Sequence, residues 1–133
     1  MTFNEKVATT CFDSLTPTNE AEVSRIIKQL PNKTSPLDYI HTSVLKSCVD
    51  VMAPLITRLV NLSFSEGCFP DQFKLAQVTP LIKKQGLDES DPTNYRSISN
   101  LNTIGKIIER LCLNRIMPHV ASTGNFSPLQ SAY

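Results

Sequence analysis

The spacing of apolar residues switches from helical to extended in one region of this chain, and that switch constrains the fold most. From residue 19 to about residue 66, apolar residues recur three and four positions apart, as in amphipathic helices. Residues 75–84, LAQVTPLIKK, instead interleave β-branched and apolar residues with polar ones, which favours a strand. Helical spacing returns after residue 103. The pattern predicts an α+β fold, mostly helical with one short antiparallel β-hairpin.

Three helices are predicted before the strand. The first covers residues 19–30, with Thr18 or Asn19 as its cap and apolar residues at positions 23, 26, 27 and 30 on one face. The second lies within residues 42–52. The third is predicted to begin at about Pro54, because proline suits the first helical position, and to end at Glu66, before Gly67.

The hairpin and one further helix complete the predicted domain. Residues 95–99, YRSIS, form a second candidate strand, and a turn-rich loop of about ten residues separates it from the first. Pro80 favours a sheet edge or a bulge. A long helix is predicted from Ile104 to Val120. Residues 1–17 are expected to form a flexible N-terminal arm, and residues 18–133 one domain.

Charge and composition restrict the partners. Thirteen Lys and Arg against twelve Asp and Glu leave a net charge of +1, so binding of an anionic partner must be local. Residues 72–84 carry three lysines and no acid. Residues 94–133 carry four basic residues and a single acid, Glu109. No apolar run is long enough to span a membrane, and no secretion signal is visible. We therefore expect an intracellular protein that does not bind a membrane. The sequence does not distinguish nucleus from cytoplasm, and it does not indicate an oligomeric state.

Four stretches of the chain, in order, resemble one protein family. They are residues 30–46 (LPNKTSPLDYIHTSVLK), 78–86 (VTPLIKKQG), 91–111 (DPTNYRSISNLNTIGKIIERL) and 126–133 (FSPLQSAY). Together they resemble the reverse transcriptases of non-LTR retrotransposons, in the jockey-like group. The resemblance implies the fingers region of a right-hand polymerase, truncated before the palm. It also implies an RNA template and deoxynucleoside triphosphates as partners of the parent enzyme, with Mg²⁺ as its cofactor.

The resemblance also assigns a nucleotide-binding role to three basic residues. Lys84, with Lys83 beside it, matches the basic residue at the end of the family's strand, and Arg96 matches the arginine of the next motif. In the family these groups close over the triphosphate of the incoming nucleotide. The chemistry is suitable, because arginine offers paired donors and lysine a compact charge. A solvated hairpin edge is the alternative interpretation from the sequence alone.

Three further residues are candidates for nucleic-acid binding. Tyr95 adjoins Arg96 and is a candidate contact for a base or sugar. Lys106 and Arg110 are four residues apart on the long helix, so they share a face and could follow the template phosphates. Glu109 beside them favours the alternative, a solvated helix face.

Two departures from the family bear on activity. Ser97 stands where the family commonly has proline after the arginine. The family's palm uses an aspartate and an Asp-Asp pair to hold two divalent metals, and no Asp-Asp pair occurs in this sequence. We therefore expect no catalytic residues, no bound metal and no DNA synthesis by this chain alone. The alternative is a non-catalytic nucleic-acid-binding or helical protein-interaction module derived from a mobile element.

Overall fold

The computed structural model describes residues 11–122 and confirms the α+β class. Its elements, in chain order, are α1 (Glu20–Gln29), α2 (Thr42–Ser47), α3 (Val49–Glu66), α4 (Asp71–Lys74), β1 (Ala76–Ile82), β2 (Tyr95–Leu101) and α5 (Thr103–Ser122). A 3-10 turn at Pro92–Asn94 precedes β2. Residues 126–133, the fourth stretch of the family resemblance, lie outside the described residues.

The core lies where α1, α3 and α5 meet. Each helix contributes apolar side chains that are almost fully buried, among them Val23, Ile27, Ile56, Val60, Ile107, Ile108 and Leu111. Burial of one such side chain stabilises a fold by about 1.5–3 kcal/mol. The Asn19 side chain accepts a hydrogen bond from the Glu22 N–H and so caps α1, which was one of the two predicted caps.

The third helix does not begin at Pro54, as the sequence had predicted. It begins at Val49, directly after a break at Cys48 (φ −105°, ψ 27°), and Pro54 lies inside it. A proline inside a helix costs about 3 kcal/mol. The continuous helix buries Val49 and Ala53 in line with the rest of its apolar stripe, and this packing offsets the cost. The predicted end is confirmed, because Gly67 adopts the left-handed conformation (φ 61°).

The hairpin is confirmed, with β1 and β2 paired antiparallel from Ala76 opposite Leu101 to Ile82 opposite Tyr95. Pro80 is tolerated because each strand of a two-stranded sheet has one unpaired edge. Most residues of both strands are exposed. The hairpin therefore stands away from the helical core, and its position depends on how its base is fixed.

Asp38 anchors the base of the hairpin. Its carboxylate accepts hydrogen bonds from the Thr103 N–H (2.5 Å), from the Thr103 hydroxyl (2.7 Å) and from the Ser35 N–H (2.7 Å). Thr103 is the first residue of α5 and follows the end of β2 by two positions. One side chain from the loop before α2 thus binds the first residue of α5 and fixes the point where the hairpin joins the core.

Arg115 fixes the segment before α1. Its guanidinium binds both carboxylate oxygens of Glu22 (2.8 and 3.2 Å) and the backbone carbonyls of Thr16 and Pro17. It also lies 5.4 Å from the centre of the Phe64 ring. Residues 11–17 have no helix or strand. The flexibility of the arm and the domain boundary at residue 17 stay predictions.

Candidate nucleotide and nucleic-acid interface

The three residues predicted to bind a nucleotide lie at the loop end of the hairpin. Arg96 is paired with Leu81 across the two strands. Beyond the last strand pair, the Lys83 N–H donates to the Asn94 carbonyl (2.8 Å), and Lys84 follows in a bend. The side chains of Lys83, Lys84 and Arg96 are all exposed. The fold therefore brings these charges to one end of the molecule's only described hairpin, although no contact joins them.

The two lysines differ in their contacts. The Lys83 Nζ donates to the Thr93 carbonyl (2.7 Å) and so ties the start of the loop to its end. Within residues 11–122, neither Lys84 nor Arg96 forms a hydrogen bond through its side chain or an ion pair. Lys84 and Arg96 thus carry positive charges that no acid of the described chain neutralises.

The loop between the strands is shaped by its own carboxylates. Asp88 accepts from the N–H (2.9 Å) and hydroxyl (2.7 Å) of Ser90, and Asp91 accepts from the N–H (2.9 Å) and hydroxyl (2.8 Å) of Thr93. The Ser90 N–H lowers the pKa of Asp88, and the Thr93 hydroxyl lowers the pKa of Asp91. These acids fold the loop that supports Lys83 and Arg96.

Tyr95 is half-buried at the start of β2, and its hydroxyl is already used. The hydroxyl donates to the Glu89 carbonyl (2.9 Å), across the loop. This bond occupies the donor, so a nucleic acid would meet the ring of Tyr95 rather than a free O–H. A base-stacking contact remains compatible with this arrangement.

Lys106 and Arg110 lie on one side of α5, as their spacing predicted. Together they line a groove of about 270 Å³ whose other wall is the end of α1 and the loop after it, formed by Ile26, Gln29, Leu30 and Pro31. Glu109 points elsewhere, because it lines a different groove, of about 460 Å³, with Phe69 and Phe73. The acid that seemed to offset the two cations is therefore on another side of the helix.

Two further structural findings apply to residues 11–122. Within that range, no three or more His, Cys, Asp or Glu side chains are grouped so that they could hold a metal ion. None of its helices is long and apolar enough to cross a membrane.

The described structure is thus a small α+β unit that carries exposed cations on its hairpin and on one face of α5, among other positions. No protein-family model matches the chain. Several relatives do match, among them three from Drosophila melanogaster that are described next. This chain is 37% identical over 102 residues to a probable RNA-directed DNA polymerase from transposon BS. The aligned region covers 75% of this chain and 11% of the relative.

The second relative is a probable RNA-directed DNA polymerase from transposon X-element, at 34% identity over 83% of this chain and 12% of that protein. The third is the RNA-directed DNA polymerase from mobile element jockey, at 33% identity over 72% of this chain and 10% of that protein. The sequence is thus related to RNA-directed DNA polymerases of retrotransposons, and specifically to the jockey-like, non-LTR group. The chain spans between 10% and 12% of the length of these curated relatives.

The sequence interpretation missed the residue pairs that fix the base of the hairpin and the segment before α1. Asp38 and Thr103 are 65 residues apart, and Arg115 and Glu22 are 93 residues apart. No local pattern reveals such pairs. The one available pointer was that Asp38 lies in residues 30–46, the first stretch that resembles the family.

Proposed function

We propose that this chain is the fingers region of a retrotransposon RNA-directed DNA polymerase. In this proposal, Lys84 and Arg96, assisted by Lys83, bind the triphosphate of the incoming deoxynucleotide. Tyr95, Lys106 and Arg110 contact the RNA template. The observation that carries the proposal is the pair of exposed, unpaired cations at the loop end of the hairpin, in a chain related to these polymerases.

The residues have suitable chemistry for a triphosphate. The Arg96 guanidinium can give two parallel hydrogen bonds to one phosphate, and the Lys84 ammonium can approach another as a compact charge. Lys83 keeps two of its three N–H donors while it holds the loop through Thr93. The hydrogen bonds of Asp88 and Asp91 fix the loop beforehand, which lowers the entropy cost of binding.

Mg²⁺ is part of the family's chemistry, but residues 11–122 hold no cluster of carboxylates that would bind it. When bound in an intact polymerase, the metal activates the attacking oxygen and neutralises charge on the phosphates. The residues of this chain would bind and orient the nucleotide and the template. In a primer-extension assay, we expect the 133-residue chain to incorporate no nucleotide above background.

Nucleotide binding by the chain tests the proposal directly. Affinity for a deoxynucleoside triphosphate, measured by calorimetry at low salt, should fall by roughly tenfold or more in Arg96→Ala, because one charge-assisted contact is worth about 1.5–3 kcal/mol. Arg58→Ala, which removes an exposed arginine from α3, is the matched control and should bind like the parent chain. Equal affinities for the two variants, or no affinity in the parent chain at low salt, would refute the proposal.

A further inference from the structure

Helix α3 is apolar on two opposite sides. One side packs in the core through Ala53, Ile56, Val60 and Phe64. On the outer side, Val51, Leu55 and Leu62 are 67%, 61% and 53% exposed. A helix that is apolar on all sides is normally covered on all sides. The outer side of α3 is therefore a contact surface that the described fold leaves open.

The exposed residues follow the spacing of a coiled-coil seam. Val51, Leu55, Arg58 and Leu62 are separated by four, three and four positions. This spacing places them on one stripe of the helix, and it is the spacing with which two like helices pair. We call these four residues the outer stripe. Val44 in α2, seven positions before Val51, is 49% exposed and continues the spacing.

We propose that the outer stripe is a self-association surface, on which α3 of a second copy of this chain packs in the antiparallel direction. Arg58 decides the direction. In a parallel pair each residue of the stripe would face its own copy, so two Arg58 charges would meet inside an apolar seam at a cost in free energy. An antiparallel pair separates these charges.

One antiparallel register suits both the apolar residues and the arginines. When Val51 faces the second copy's Leu55, Leu62 faces the second copy's Val44, so the four exposed apolar residues cover one another. The two Arg58 residues are then ten positions apart along the helix axis, about 15 Å. This distance exceeds the Debye length of about 8 Å at physiological salt, so their repulsion is screened.

The same register brings opposite charges together. Asp50 and Arg58 are exposed, and neither forms an ion pair within the described part of the chain. At about 100° per residue, both lie on the same side of the outer stripe, and a twofold axis keeps them on that side. Arg58 faces the second copy's Cys48, about 3 Å along the axis from Asp50. Two Asp50–Arg58 pairs would therefore form across the interface.

Sedimentation equilibrium of the 133-residue chain, from micromolar to millimolar concentration, tests this surface. Helix α3 has 18 residues and is about 27 Å long, so the contact is smaller than the roughly 800 Å² per partner of a standard interface. We therefore expect a weak monomer–dimer equilibrium. Leu55→Asp should raise its dissociation constant roughly tenfold or more, because it removes one buried leucine from each side of the seam.

Leu75→Asp is the matched control. Leu75 is also 61% exposed, but it lies between α4 and β1. This variant should dimerise like the parent chain. A parent chain that stays monomeric at millimolar concentration, or equal losses in Leu55→Asp and Leu75→Asp, would overturn the proposal. Urea denaturation of dilute samples checks that Leu55→Asp folds, and Leu55→Gln serves in its place if it does not.

A charge reversal tests the direction and the register. Asp50→Arg and Arg58→Asp should each weaken the dimer about fivefold, because each places like charges together, and the two combined should restore it. In a parallel pair, where Asp50 faces Asp50 and Arg58 faces Arg58, neither single change would weaken the dimer. Unchanged single variants, or a combined variant without restored affinity, would refute the antiparallel register.

Self-association does not rest on the proposed function, because the outer stripe is separate from the hairpin. Leu55→Asp should keep the nucleotide affinity of the parent chain, and Arg96→Ala should keep its dissociation constant for the dimer. Loss of dimer in Leu55→Asp with unchanged nucleotide affinity supports the outer stripe. Loss of dimer in Arg96→Ala to the same extent would refute it.

Discussion

Replacement of Glu22 by glutamine should destabilise the fold in a pH-dependent manner. The Glu22 carboxylate accepts from the Arg115 guanidinium at 2.8 and 3.2 Å and from the Thr18 hydroxyl at 2.7 Å. Its side chain is 18% exposed and that of Arg115 is 11% exposed. The hydrogen bond from Arg115 is the main cause that lowers the pKa of Glu22 from 4.5 to about 2, against the opposing effect of burial.

The size of the effect follows from this pKa. A shift from 4.5 to about 2 corresponds to an upper limit of roughly 3 kcal/mol, and solvent screening of a carboxylate that is 18% exposed reduces this to about 2 kcal/mol. Because the folded pKa is lower than the unfolded one, this stability is fully present above pH 4.5. It is lost as the pH falls through 4.5 towards 2.

Urea denaturation at a series of pH values measures this contribution. At pH 7, the free energy of unfolding of Glu22→Gln should be about 2 kcal/mol lower than that of the parent chain, and its dependence on urea concentration should be unchanged. The difference should shrink as the pH falls from 5 to 2. Glu20→Gln is the control, since Glu20 is exposed in the same first turn of α1. A difference that stays constant down to pH 2, or one that Glu20→Gln reproduces, would show that the pair with Arg115 is not its cause.

Two substitutions at the base of the hairpin give further predictions. Asp38→Ala leaves the Thr103 N–H without its cap and should lower the free energy of unfolding by about 2–4 kcal/mol in urea denaturation; exposed Asp50→Ala should change it by less than about 0.5 kcal/mol. Gly105→Ala places a methyl group 3.1 Å from the Phe73 carbonyl oxygen. The overpacking should cost about 2 kcal/mol and exceed the gain in helix propensity of about 1 kcal/mol, so the variant should be less stable. A melting temperature equal to or above that of the parent chain would contradict this.

Local patterns in the sequence were sufficient for most elements. The Asn19 cap, the Gly67 end of α3 and the pairing of β1 with β2 all follow from interactions between residues close in the chain. The start of α3 does not, because local preference places Pro54 at a helix start, while the burial of Val49 and Ala53 is decided by α1 and α5. Tertiary packing outweighed the preference of one residue there.

The candidate site was predictable in its chemistry but not in its arrangement. A resemblance could name Lys84 and Arg96, and helical spacing could place Lys106 and Arg110 together. Spacing alone could not show that Glu109 faces another groove, since the answer depends on which side of α5 is buried. It also could not show that Arg115, a third cation on the same helix, turns inward to Glu22.

The cations discussed above either stabilise the fold or remain available to a ligand, depending on whether they form an ion pair with a carboxylate. Arg115 forms an ion pair with Glu22, and this pair stabilises the fold. Lys84, Arg96, Lys106 and Arg110 form no ion pair within the described part of the chain. Asp38 connects the hairpin to the helical core, since it binds both Ser35 in the loop before α2 and Thr103 at the start of α5. Loss of Asp38 should therefore disturb both candidate surfaces together, whereas loss of any one exposed cation should affect only its own.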